Sequence, residues 1–64
     1  MTSLALSGFQ ILCVDDSLDS LEFLRVHLES HGAVVTTCDS AEKAILVLKN
    51  ANFDVMVSDL SMPP

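Results

Sequence analysis

Three aspartates follow two hydrophobic segments of the sequence. Asp15 and Asp16 come directly after the apolar segment 9–14, and Asp59 comes directly after the similar segment 53–58. Mg²⁺ usually takes one or two carboxylates together with water and substrate phosphate oxygens. A carboxylate can also attack phosphorus as a nucleophile. If the fold brings the three aspartates together, they predict a Mg²⁺ site at which one of them accepts a phosphoryl group.

A cation is expected in such a cluster because the carboxylates would repel one another without it. Two negative charges about 4 Å apart repel by roughly 4 kcal/mol at an effective dielectric constant near 20. An empty cluster would therefore be strained or partly protonated, whereas a divalent cation removes the conflict.

The elements that position these aspartates can be predicted from the hydrophobic pattern. Strands are predicted at 9–14, 33–38 and 53–58, because these short segments are apolar and rich in β-branched residues. A helix is predicted at 17–31, with Asp16 or Ser17 as its cap and Gly32 at its end. Its apolar stripe consists of Leu18, Leu21, Leu24 and Leu28.

A second helix is predicted between the second and third strands. Asp39 is the expected N-cap, with Glu42 reaching back in a capping box, and the helix ends through 49–52. The expected apolar stripe consists of Ala41, Ala44, Ile45 and Leu48.

Strand and helix alternate as in a βαβαβ unit, which predicts an α/β fold with parallel strands and right-handed crossovers. Two strand orders remain open. In the order 1-2-3, no crevice forms between the first and third strands. In the doubly wound order 2-1-3, the winding reverses between them and a crevice opens at their carboxyl ends, where Asp15, Asp16 and Asp59 would meet.

The composition of the chain argues against some classes of function. The net charge of −6 argues against direct nucleic-acid binding, because a phosphate backbone would be repelled. No run of 18 apolar residues and no signal peptide is found, so we expect a cytoplasmic protein with no membrane segment. Residues 1–8 are interpreted as a short leader and residues 9–64 as part of one small domain.

The cysteines and histidines give weaker indications of a redox or metal site than the aspartates do. Cys13 and Cys38 lie in strand segments without the spacing of a redox or zinc motif, so buried free thiols are expected. His27 and His31 stand four residues apart on the first helix, a spacing that can chelate a transition metal. No third ligand stands out, which favours a solvated role at the helix end. Asp54 is assigned no chemistry.

Four segments together resemble a known family. They are Val14-Asp15-Asp16, the helix end Leu-x-x-x-Leu-Glu-Ser-x-Gly at 24–32, Ala-Glu-Lys-Ala at 41–44, and Phe-Asp-Val-Met-Val-Ser-Asp-Leu-Ser-Met-Pro at 53–63. In this order and spacing the chain resembles the N-terminal half of receiver domains of two-component response regulators. That resemblance implies a flavodoxin-like, doubly wound fold with the strand order 2-1-3.

The resemblance also implies roles for individual residues. Asp59 would be the phospho-acceptor, Asp16 a direct Mg²⁺ ligand and Asp15 a ligand acting through metal-bound water. The backbone carbonyl of Ser61 would complete the protein's share of the coordination. The phosphoryl donor would be a histidine kinase, a phosphotransfer protein or a small phosphodonor.

The sequence departs from the family in its later part. Receivers carry a Ser or Thr after strand four and a Lys after strand five, whereas Lys43 and Lys49 both fall on the second helix. We therefore expect an excerpt of a longer protein, a half-domain completed by another chain, or a truncated module. The third strand would then be an apolar edge that invites pairing.

Two functions follow, a phospho-accepting receiver and a non-catalytic module that pairs through this edge. At most, the receiver would catalyse its own phosphorylation. A phosphatase that forms an aspartyl phosphate is disfavoured, because Ser61 stands where a second acid is usual.

Overall fold

The computed structural model describes residues 5–58 of the chain, and these form three strands and two helices in alternation. The elements are β1 (Gln10–Val14), α1 (Leu18–Glu29), β2 (Val34–Cys38), α2 (Ala41–Asn50) and β3 (Val55–Ser58). Each strand ends at the predicted residue and begins one or two residues later than predicted. The α/β alternation is therefore confirmed.

The three strands form one parallel sheet in the order β2-β1-β3. Val14, the last residue of β1, is paired with Cys38 of β2 and with Ser58 of β3, so all three strands end at the same level. The strand and helix pattern alone left two orders open, and the structure confirms the doubly wound 2-1-3 order of a flavodoxin-like fold that the family resemblance implied.

Side chains of β1 point alternately to two hydrophobic layers, one under each helix. The α1 layer contains Ile11, Cys13, Leu21 and Ala33, and the α2 layer contains Leu12, Val14, Cys38 and Ala44. Because the two helices cover opposite faces, the winding reverses at β1.

Both cysteines are buried free thiols, as predicted. Cys13 belongs to the α1 layer and Cys38 to the α2 layer, so the sheet separates them and they cannot pair. Burial raises the pKa of each thiol, which disfavours the reactive thiolate.

Helix α1 begins and ends with local capping. Ser17 is its N-cap, and the Ser17 side chain accepts a hydrogen bond of 3.3 Å from the Ser20 amide. The helix ends at Glu29, two residues earlier than predicted, and the chain turns back at Gly32. Gly32 has a φ of 95°, a conformation that glycine adopts without steric cost.

The predicted cap of α2 was wrong by one residue. Ser40 is the N-cap, and its hydroxyl accepts a hydrogen bond of 3.2 Å from the Lys43 amide. The Asp39 carboxylate pairs instead with Lys43 Nζ at 2.8 Å, and this contact lowers the pKa of Asp39. The helix begins at Ala41, so the capping position falls on the residue directly before it.

Fewer residues of each helix face the core in the structure than the sequence pattern predicted. Leu18 on α1 is 68% exposed and Ile45 on α2 is 54% exposed, although both were predicted to face the core. Contacts of α2 with the sheet come from Ala44 and Val47. Within residues 5–58 the sheet has only three strands, so each helix covers it with a narrow band of residues.

Residues 5–8 form a turn that packs against the end of α1. The Leu6 amide donates a 2.9 Å hydrogen bond to the His31 carbonyl, and the Leu6 side chain packs against the α1 layer. This part of the predicted leader is thus held by the domain. The division into a leader at 1–8 and a domain at 9–64 stays a prediction.

Asp54 ties the beginning of β3 to the beginning of β1. Its Oδ2 accepts a 2.9 Å hydrogen bond from the Gln10 amide, and its own amide donates to the Gln10 carbonyl at 2.8 Å. Asp54 therefore has a structural contact at the end of the sheet opposite Asp15.

In the described part of the chain, β3 is an edge strand with apolar side chains. Val55 is 41% exposed and Met56 is 55% exposed, which matches the expected apolar edge. No helix within residues 5–58 has the length and apolar character needed to cross a membrane.

We expect Ser40→Ala to lower the free energy of unfolding by about 1 kcal/mol, because the first turn of α2 loses its side-chain acceptor. Ser40→Asp, which keeps an acceptor, should be close to wild type in urea denaturation. A larger loss for Asp39→Ala than for Ser40→Ala would show that Asp39 is the cap after all.

We expect Leu12→Ala to be far more damaging, since Leu12 is 0% exposed. Removing a core leucine costs about 2–5 kcal/mol, a large part of the about 5–15 kcal/mol that stabilises a typical domain. The matched control is Leu46→Ala on the exposed side of α2, which should change stability by less than about 0.5 kcal/mol. Equal losses in thermal unfolding would contradict this account of the core.

Candidate functional site

Strand β1 carries Asp15 to the carboxyl edge of the sheet. The Asp15 amide donates a 3.1 Å hydrogen bond to the Cys38 carbonyl, so the pairing of β1 with β2 continues one residue beyond the strand. Asp15 is only 4% exposed. This burial follows from the apolar strand before it, which cannot leave the core without exposing Leu12 and Cys13.

The Asp15 side chain also organises the start of α1. Its Oδ1 accepts a 2.9 Å hydrogen bond from the Ser17 amide. Ser17 in turn caps α1, so the carboxylate lies beside the positive end of the helix dipole. The Asp-Asp-Ser sequence therefore forms a compact turn with an anion held at a defined place.

Asp16 differs from its neighbour because it is exposed. It lies in the bend between β1 and α1, and no residue within 5–58 forms a hydrogen bond or ion pair with its side chain. The two adjacent carboxylates thus have different environments, one buried and bonded, the other open to solvent.

No described cation neutralises Asp15. Arg25 pairs with Glu22 at 2.6 Å and with Glu29 at 3.1 Å, and the hydrogen bond from Arg25 lowers the pKa of Glu22. Lys43 pairs with Asp39. A buried carboxylate without a positive partner is costly, so Asp15 fits a site for a hard cation such as Mg²⁺.

An open depression of about 350 Å³ lies beside Asp15. Its walls are Asp15 and the first two turns of α1, through Asp19, Ser20, Phe23 and Leu24. We did not anticipate Asp19, Ser20 or Phe23 at the site from the sequence. Their spacing of three and four residues puts them on one side of α1, and this spacing could have indicated that they lie together near Asp15.

Two of the predicted site residues, Asp59 and Ser61, lie outside the described residues. Residue 58 is the last that the structure describes, and it pairs with Val14 directly before Asp15. Within residues 5–58, no three side chains of His, Cys, Asp or Glu lie close enough together to hold a metal ion. The ligand set of Asp15, Asp16, Asp59 and the Ser61 carbonyl therefore stays a prediction.

Comparison with protein families gives a match over most of the chain. Residues 11–64 match the response regulator receiver domain. The match begins at the second residue of β1 and includes Asp15, Asp16 and Asp59. No solved structure gave a significant match.

Curated relatives contain the same stretch within longer proteins. The chain is 40% identical over 58 residues to an uncharacterized 14.6 kDa protein of Leptolyngbya boryana, covering 91% of this chain and 44% of that protein. It is 44% identical over 55 residues to probable histidine kinase 3 of Oryza sativa, covering 84% of this chain and 5% of the kinase.

A third relative is the two-component response regulator ARR11 of Arabidopsis thaliana, 34% identical over 58 residues, with 88% of this chain and 11% of that protein covered. The chain thus spans less than half the length of each of these three relatives. The family match covers residues 11–64, and the structure has the doubly wound sheet and a buried aspartate after β1. The chain therefore belongs to the response regulator receiver domain family of two-component signalling.

Proposed function

We propose that this receiver accepts a phosphoryl group on Asp59 from a histidine kinase or a phosphotransfer protein, in a reaction that depends on Mg²⁺. The observation that carries the proposal is the pairing of Val14 with Ser58 in neighbouring parallel strands. The next residue along each strand is an aspartate, Asp15 after β1 and Asp59 after β3. Neighbouring parallel strands run about 4.8 Å apart, a spacing that suits a cation shared by aspartates that follow two such strands.

The proposed metal ligands have different tasks. Asp15 contributes a fixed negative charge, since its burial and the Ser17 amide hold its carboxylate in place. Asp16 is exposed and can turn toward a cation as a direct ligand. The Ser61 carbonyl is the proposed fourth contributor. When bound, Mg²⁺ offsets the negative charge of the carboxylates and of the phosphoryl oxygens.

In the proposed transfer, a carboxylate oxygen of Asp59 forms a bond to phosphorus while the phosphorus–nitrogen bond of the donor phosphohistidine breaks. The imidazole nitrogen keeps the electron pair and takes a proton from solvent. In this transfer the protein contributes mainly positioning and charge compensation, which are the main sources of catalysis in phosphoryl transfer.

Similarity to a histidine kinase and to a two-component response regulator supports this choice of partner class. Such a partner would meet the receiver in the cytoplasm, which is the location we propose. The phosphorylated receiver would then favour one of two conformations, as other phosphorylation switches do.

We expect the purified protein to gain one phosphoryl group when incubated with acetyl phosphate and Mg²⁺, and Asp59→Asn to gain none. The reason is that the amide of asparagine is not a nucleophile toward phosphorus. Intact-mass measurement detects the adduct directly. The matched control is Asp54→Asn, the same substitution at the opposite end of β3, which should leave phosphorylation unchanged.

An adduct that persists in Asp59→Asn would contradict the assignment of the acceptor. Absence of any adduct on the folded wild-type protein would instead favour the non-catalytic interaction module. The observation that supports that second function is the apolar edge of β3, where Met56 is 55% exposed.

We expect Asp16→Asn to raise the Mg²⁺ concentration needed for half-maximal phosphorylation by at least roughly tenfold, which corresponds to about 1.4 kcal/mol of binding energy. Asp15→Asn should act in the same direction while the fold is kept, because the asparagine oxygen can still accept from the Ser17 amide. The measurement is the rate of adduct formation against Mg²⁺ concentration, with Asp54→Asn as the control. An unchanged Mg²⁺ dependence in both variants would refute the proposed metal site.

A further inference from the structure

The carboxyl end of α1 carries an arrangement that the phosphoryl-transfer site does not use. The imidazoles of His27 and His31 lie side by side with ring centroids 5.2 Å apart and ring planes at 75°. These are the two histidines of the chain, and both are exposed. His27 lies in the last turn of α1, and His31 lies in the turn two residues beyond the end of the helix. Two imidazoles four residues apart can present nitrogen ligands to one metal ion.

The separation of the two rings suits a shared metal ion. Metal–nitrogen bonds to histidine are about 2.0–2.1 Å, and two imidazoles on one tetrahedral ion then have ring centroids about 5 Å apart. The observed 5.2 Å is close to this value, so only rotation of the rings about their side-chain bonds is needed. The backbone of the last helical turn and of the turn after it therefore does not have to move to bring both ligands to one ion.

Neighbouring contacts position the ring of His27 and the backbone of His31. The Phe23 ring, one turn earlier on α1, stacks on His27 with an interplanar angle of 4° and a centroid distance of 6.1 Å. The backbone carbonyl of His31 accepts the 2.9 Å hydrogen bond from Leu6. Such restraints reduce the freedom that is lost when the two imidazoles bind one ion.

The ring nitrogens are also available. Neither imidazole forms a hydrogen bond or an ion pair with another residue in the range 5–58. Imidazole nitrogen suits borderline ions such as Zn²⁺, Ni²⁺ and Cu²⁺, whereas Mg²⁺ prefers oxygen. No third protein ligand lies close among the described residues, so water would complete the coordination.

We propose that His27 and His31 form a two-histidine binding site for a divalent transition metal ion of the Ni²⁺, Cu²⁺ or Zn²⁺ class. The site is separate from the carboxylate site, because Asp15 precedes α1 and the histidines lie at its other end. Helix α1 has 12 residues and is therefore about 18 Å long. A bound ion would link the last turn of α1 to the turn that follows it.

The test is calorimetric titration of the protein with NiCl₂ in the presence of excess Mg²⁺. We expect one Ni²⁺ per chain, and at least roughly tenfold weaker binding in His27→Ala and in His31→Ala, because the second imidazole binds at a high effective concentration. Circular dichroism shows whether each variant is folded. Both side chains are exposed, so the folds should be unchanged.

A second measurement locates the ion. In NMR spectra, paramagnetic Ni²⁺ should broaden the imidazole proton resonances of both histidines before other resonances. In thermal unfolding, Ni²⁺ should raise the unfolding temperature of the wild type but not of either variant. The double variant Asp15→Asn with Asp16→Asn is the matched control and should bind Ni²⁺ as the wild type does. Binding that is absent in the wild type, unaffected by both histidine substitutions, or displaced by Mg²⁺ would overturn the proposal.

Discussion

Burial of β1 on both of its faces is the constraint on which the remaining structure depends. Leu12 and Cys13 are 0% exposed because β1 lies between two strands and under a helix on each side. A strand in this position has no free edge and no free face, so its length and register are strongly specified. The buried strand thereby sets the place of the residue that follows it, Asp15.

The buried strand also explains how a carboxylate comes to be 4% exposed. Asp15 continues the pairing of β1 with β2, and its side chain compensates by accepting from the Ser17 amide at the start of α1. One local turn therefore joins sheet, helix and charge. The same turn leaves Asp16 open to solvent. Asp15 and Asp16 have identical side chains and therefore differ only in their surroundings.

Local patterns were most reliable where the physical cause was local. The βαβαβ alternation, the end of each strand and the turn at Gly32 followed from short-range sterics and apolar runs. Local patterns failed where neighbouring residues compete for the same structural role. Asp39 and Ser40 are both good caps, and the start of α2 at Ala41 assigned the role to Ser40. Ile45 had the right spacing for the core, yet the band of α2 that contacts the sheet passes through Ala44 and Val47.

Residue types and their order along the chain were enough to predict the class of the fold and the acidic residues after the strands. They were also enough to predict the family membership that the family match confirms. The tertiary structure was needed to show that Asp15 is buried and Asp16 exposed, and that His27 and His31 lie ring to ring. It also selected the 2-1-3 order, which the family resemblance implied but the strand and helix pattern left open. These depend on contacts between residues far apart in sequence or on side-chain packing, for which periodicity carries no information.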